Sequence, residues 1–127
     1  MKKPELTLLI EKFTLHRLEA VAAIPDIVLD SPFFSITRTS DELSIVVPEG
    51  IVLSGTRQEP GWSCIKVEGP LDFGLTGILA GISTILAGEG ISIFAVSTFD
   101  TDYIMMKEKV VLRAEKALQE AGYTFSD

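Results

Sequence analysis

The sequence predicts an α+β fold, and three features carry that prediction. Val67–Tyr103 reads as strand, glycine-containing turn, helix, strand, acidic turn and the start of another strand. Glu108–Ala121 has the apolar spacing of an amphipathic helix. Thr39–Glu49 lines up with Thr98–Glu108, each a polar turn between two strands with an apolar tract ending at a glutamate. The alignment makes the first half a shortened copy of the second, with its first helix reduced to a stub around Leu15–Ala23. A chance similarity of two hairpins is the competing explanation.

Taken in order, the chain opens on the charged lead-in MKKPE, and Leu6–Phe13 is a short apolar run fit for a buried strand. Leu15, Leu18, Val21 and Ala22 fall on one side of two helical turns, which Pro25 ends by pushing the preceding residue out of the helical region. His16, at the start of that stub, is expected at the surface or as a cap. Ile27–Leu29 is another apolar piece, and Asp30-Ser31-Pro32 is a turn. Phe33–Thr39 and Leu43–Pro48 flank Ser40-Asp41-Glu42 as a β-hairpin. Glu49–Gly61 mixes apolar residues with turn formers and is the connector between halves. These features divide the chain into residues 1–60 and 61–127.

The second half begins with strand Trp62–Glu68. Leu75, Ile78, Leu79, Ile82, Ile85 and Leu86 recur at helical spacing, and Gly90 stands where a helix ends in a left-handed turn. Ile91–Val96 is rich in β-branched residues and reads as a strand. Tyr103–Lys107 is a short strand, Glu108–Ala121 a helix capped by Gly122, and Tyr123–Phe125 a closing strand. The order β-α-β-β-α-β is the ferredoxin-like arrangement.

The central helix has no ordinary solvated face, because no charged residue lies between Asp72 and Glu89. Gly77, Gly81, Thr84 and Gly88 trace a narrow stripe along it. Glycine inside a helix costs roughly 0.5–1 kcal/mol relative to alanine, so the stripe calls for a compensating close contact. A second helix or a second subunit would supply it, and the helix is expected to pack on both sides.

Composition bounds the function. The net charge of −7, with no run of Lys or Arg, argues against nucleic acid and anionic membrane as partners. Cys64, the single cysteine, lies in an apolar strand pattern and reads as a buried structural thiol. No signal peptide or spanning segment is visible, so a cytoplasmic location is expected. One histidine, one cysteine and no close ligand spacing supply neither a nucleophile–base pair nor a metal cluster, so no enzyme, metal or cofactor is expected.

GLTGILAGISTILAGEGISI and the following hairpin STFDTDYIMM resemble ACT domains, in particular the branch of arginine-sensing cytosolic proteins and small proteins of two tandem ACT units. The resemblance covers Trp62–Tyr123 closely and Leu6–Glu49 more loosely, through FFSITRTSDELSIVVPE. It implies two tandem ferredoxin-like units, the first degenerate, sharing or packing antiparallel sheets. It also implies a regulatory module that holds a small ligand, usually an amino acid, at an interface between ACT units. In such domains the turn before the first helix receives the ligand's carboxylate, here Asp72, Phe73, Gly74, Leu75, Thr76 and Gly77. By the same resemblance Thr98, Phe99 and Asp102 are contacts in the strand-end turn, with Asp100 beside them. Many members carry Asp or Asn three residues before the first helical glycine, where this chain has Gly74. The arginine sensors use four ACT units, so a complete site here implies a homodimer.

The residues are chemically suited to that role. A helix N-terminus presents unpaired N–H groups and a partial positive charge, and Gly74 and Gly77 remove side chains that would block a carboxylate. An ammonium or guanidinium would be met by Asp72, Asp100 or Asp102. The same aspartates could equally serve a cap and a turn. The expected ligand is arginine or another amino acid. The alternative is an oligomerisation module that binds a partner protein and no small molecule.

Overall fold

The computed structural model describes residues 3–69 and 76–126 of the 127. It divides into an N-terminal unit, Glu11–Trp62, and a C-terminal unit formed by Met1–Ile10 with Ser63–Asp127. The boundary thus falls two residues beyond the expected one, and the first ten residues group with the C-terminal half.

In the N-terminal unit, β2 (Phe13–Leu18) is the inner strand, flanked by β4 (Leu43–Pro48) and by the first part of β5 (Arg57–Val67). Strand β3 (Ser35–Arg38) completes the order β3-β4-β2-β5, which is the ferredoxin-like strand order. Helix α1 is a single turn, Asp26–Leu29, and no helix stands between β4 and β5. Val28, Leu43, Ile45, Val47 and Leu53 form the core.

Three expectations fail in this unit. Of the stub expected over Leu15–Ala23, Leu15–Leu18 lies in strand β2, paired on both edges, and the rest is the turn to α1, so ladder hydrogen bonds override a helical spacing of only four residues. His16 is therefore not at the surface but buried, at 1% exposure, in the inner strand. Pro25, expected to end a helix, begins one: its φ of −61° precedes Asp26 in the first turn of α1. The turn between β2 and α1 is held by the Arg38 guanidinium, which donates to the carbonyls of Ala20 and Ala22.

Strand β5 starts within the expected connector. Phe13 pairs with Trp62 but Leu15 with Glu59, so β5 carries one extra residue there. This is a β-bulge at Pro60–Gly61, with Gly61 at φ +79° and its N–H donating to Glu49 Oε2 at 2.9 Å.

In the C-terminal unit, β1 (Leu6–Leu8) pairs antiparallel with the end of β5, with Leu6 opposite Val67. Strand β8 (Phe125–Ser126) runs parallel to β1 on its other side. On the opposite side β5 pairs with β7 (Asp102–Lys107), and β7 with β6 (Phe94–Ser97). The order β6-β7-β5-β1-β8 is ferredoxin-like with β1 inserted between the first and last strands. The expected strand Leu6–Phe13 is thus two strands that belong to different units. Helices α2 (Ile78–Gly88) and α3 (Val111–Glu120) supply Ile82, Leu86, Ala114 and Leu118 to a core with Leu6, Ile65, Val67, Ile104 and Met106. Cys64 is buried, as its apolar strand pattern predicts.

Both helices end on left-handed glycines. The N–H groups of Gly90 and Ile91 donate to Ala87 and Leu86, and those of Gly122 and Tyr123 to Gln119 and Leu118. Each is a Schellman cap, with an apolar residue after the glycine returning to the core.

The two hairpins have one architecture. β3–β4 and β6–β7 are offset by 59 positions throughout, so Arg38 opposite Leu43 matches Ser97 opposite Asp102. Thr39 and Thr98 both accept the hydrogen bond that closes the turn: Thr39 Oγ1 from Glu42 N and Thr98 Oγ1 from Thr101 N, each at 3.2 Å.

Candidate functional site

The predicted site residues fall in two places in the C-terminal unit. Asp72, Phe73, Gly74 and Leu75 lie outside the described residues. Thr76 and Gly77 stand at the N-terminus of α2, and Thr98, Phe99, Asp100 and Asp102 on the β6–β7 turn.

Among the described residues no side chain caps helix α2. Gly77 occupies the cap position at φ +78°, a conformation open to glycine, and the first turn holds no acidic residue. The backbone N–H groups of the first helical turn therefore point out of the helix, into a region of partial positive charge.

The turn is held by side chains on either side of its tip. Thr98 Oγ1 receives Thr101 N, while the buried Thr101 hydroxyl donates to the carbonyl of Val67, the last residue of β5. Because Val67 opens the connection to α2, this bond fixes the turn at the end of the sheet from which α2 departs. Asp102 accepts from Ser97 Oγ at 2.5 Å, and Phe99 is 80% exposed at the tip. Sequence reasoning misses Thr101 and Ser97. The repeat carries no signal for Thr101, whose counterpart is Glu42; the threonines it shares are Thr39 and Thr98. That Thr101 is turned inward is a tertiary fact.

The small-residue stripe departs from expectation. A Cβ at Gly81 would meet Tyr123 Oη at 3.3 Å, whereas one at Gly77 or Gly88 would meet nothing within 4 Å among the described residues. Ala80, Thr84, Ala87 and Gly88 are exposed. Within the chain the helix packs on one side, and its close approach is to a tyrosine side chain rather than to a backbone. Burial pushes the Tyr123 hydroxyl up from its ordinary pKa, so it stands there protonated at neutral pH.

Among the described residues no group of three His, Cys, Asp or Glu is arranged to hold a metal ion. No described helix is long and apolar enough to cross a membrane. A groove of about 440 Å³ between α2 and α3 is edged by Glu89, Arg113, Lys116 and Glu120; none of the predicted residues lines it.

A family model described as ACT domain matches residues 57–120, and a second, described as an N-terminal domain, matches residues 11–54. The chain belongs to the ACT domain family. It is similar to the solved structure of protein Atu0741 from Agobacterium tumefaciens, at 37% identity and a TM-score of 0.91, over 99% of this chain and 94% of that one. Its fold is also that of two more distant structures. Aspartate kinase from Clostridium acetobutylicum matches at 13% identity and a TM-score of 0.71, over 95% of this chain and 36% of that one. The regulatory subunit of aspartate kinase from Thermus thermophilus matches at 8% identity and 0.67, over 95% and 99%. No curated protein matches the chain.

Proposed function

We propose that this chain is a non-enzymatic regulatory protein that binds an amino acid and passes the signal to a separate protein. The observation that carries this reading is the pairing of two features at one end of the C-terminal unit. The N-terminus of α2, which no described side chain caps, offers N–H groups to a carboxylate, and the Thr98–Asp102 turn, tied to β5 through Thr101, offers oxygen atoms and carboxylates to an ammonium or guanidinium. Asp72–Gly77 would receive the carboxylate; Thr98, Phe99, Asp100 and Asp102 would contact the rest. Membership of the ACT family and a fold shared with an aspartate kinase regulatory subunit support the reading. Two tandem units, with the ligand at an interface in a cytoplasmic homodimer, complete it.

The test is a thermal-shift screen against the proteinogenic amino acids, repeated with Asp102→Ala. A ligand that binds only the native state at a hundredfold excess over its dissociation constant stabilises it by about 2.7 kcal/mol. A selective shift, with arginine or another single amino acid, that disappears in the mutant supports the site. A shift that survives in the mutant removes Asp102 from it.

The second reading, an oligomerisation module for a partner protein, is favoured by one observation. The uncharged face of α2 made by Ala80, Thr84, Ala87 and Gly88 is exposed in the single chain. No shift with any amino acid, together with self-association through that face, would favour this reading.

A further inference from the structure

The N-terminal unit contains a polar rung that neither its core nor the turn site explains. Thr37 pairs with Ser44, Ser44 with Arg17, and Arg17 with Arg57, across β3, β4, β2 and β5. Directly paired residues project from the same face of a sheet. Strand alternation puts Leu43, Ile45 and Val47 on the opposite, core-forming face. On the next rung Val46 pairs with Leu15, and Leu15 with Glu59. Leu15, Arg17, Glu42, Ser44, Arg57 and Glu59 line a cavity of about 270 Å³.

Like charges directly opposed on neighbouring strands are unfavourable. Among the described residues neither arginine relieves the opposition with a carboxylate. Arg17 donates to the carbonyl of Asp41 at 3.0 Å, and the Arg57 guanidinium has no hydrogen-bond or ion-pair partner among the described residues. Two guanidinium forks on one rung, with a serine hydroxyl beside them, match the geometry of a carboxylate that bridges them. The cavity is not simply cationic, because Glu42 and Glu59 line it too. A ligand bearing both signs suits such a lining, whereas a bare dianion would be repelled by the glutamates. The volume suits a compact molecule, being just under the range of about 300–1,000 Å³ of ordinary small-molecule pockets.

We propose that this face of the N-terminal unit is a second binding site, for a small zwitterionic amino acid whose carboxylate bridges Arg17 and Arg57 and whose ammonium turns to Glu42. Leu15 supplies the apolar floor. The site uses no residue of the α2 N-terminus or of the Thr98–Asp102 turn, and it stands or falls independently of them.

A ¹⁵N–¹H NMR titration of the whole chain with L-alanine, acetate and methylammonium tests this. L-Alanine is expected to shift the amides of Arg17, Ser44 and Arg57 saturably, acetate more weakly, and methylammonium alone not at all. Arg57→Ala is expected to weaken the alanine response about tenfold without changing the melting temperature, because the side chain is exposed. Glu42→Gln is expected to narrow the preference for alanine over acetate. The proposal is overturned if those amides do not move, if Arg57→Ala titrates like the parent, or if acetate matches alanine. Shifts at Thr98–Asp102 in the same spectra report the other site separately.

Discussion

The hydroxyl of Thr101 donates to the carbonyl of Val67, joining the β6–β7 turn to the last residue of β5. Thr101 is 7% exposed, so water cannot replace the bond if it is lost. Thr101→Val keeps the shape and removes the donor. It is expected to destabilise the chain by about 1–3 kcal/mol, the cost of a buried unpaired carbonyl. Urea unfolding measures this, and Thr101→Ser should recover part of it. If the turn contributes to ligand binding, Thr101→Val should also weaken the ligand-induced thermal shift at subsaturating ligand.

Gly88 tests the exposed face of α2. A Cβ there would meet nothing within 4 Å among the described residues, so Gly88→Leu leaves the fold intact and adds bulk where a second copy would approach. Analytical ultracentrifugation is expected to show a dimer for the parent and a monomer for the mutant, with unchanged far-UV circular dichroism. Gly77 would be a poor choice, since its φ of +78° makes any substitution strained.

His16 makes the N-terminal unit sensitive to acid. Its Nδ1 lies 2.8 Å from Thr56 Oγ1, its Nε2 has no partner among the described residues, and burial pushes its pKa below the ordinary 6.5. Below pH 6.5 the unfolded chain takes up a proton that the folded chain resists. The stability is therefore complete above that pH and is lost progressively as pH falls from there through the lower folded-state value. Urea midpoints between about pH 8 and pH 5 should show the decline, and His16→Gln should remove this component of it.

Gly90 carries the end of α2. Its φ is +71° and, its chain neighbours apart, no described residue lies within 4 Å of where a methyl group would stand, so Gly90→Ala costs only backbone strain, about 1–2 kcal/mol. The same change at Gly88, which is helical and open, should instead stabilise by roughly 0.5–1 kcal/mol. Opposite signs two residues apart, read by thermal unfolding, would separate conformation from packing.

The elements legible in the sequence are those with a strong local signal. Helix α2 has a full apolar stripe and a glycine stop, α3 is amphipathic over its whole length, and each hairpin has a polar tip between apolar arms. Strand β2 escapes such a reading because Leu15, Leu18, Val21 and Ala22 satisfy a helical spacing, while its partners in β4 and β5 lie far along the chain, as Leu15 with Val46 and Glu59. Likewise β5 begins in a stretch, Arg57–Gly61, whose Pro and Gly look like a loop but form a bulge. At the candidate site, Thr98 and Asp102 are recognisable by residue type, but the groups that hold them, Thr101 and Ser97, are defined by three-dimensional hydrogen bonding.

Strand β1 sits between β5 and β8, so residues 6–8 have one neighbour at 65–67 and the other at 125–126. On a ribosome, which releases the chain from its N-terminus, Leu6 waits for Val67 and then for Phe125 before its ladder is complete. Thr7 shows the span: its hydroxyl bonds Glu68 at 2.5 Å and Ser126 at 2.6 Å, across 61 and 119 positions. Closing so long a loop is slow relative to helix formation, so α2 and α3 can form before the sheet seals. Until synthesis reaches β5 and then β8, the apolar segment Leu6–Leu8 lacks its ladder partners, and that nascent interval is when a holding chaperone would matter most.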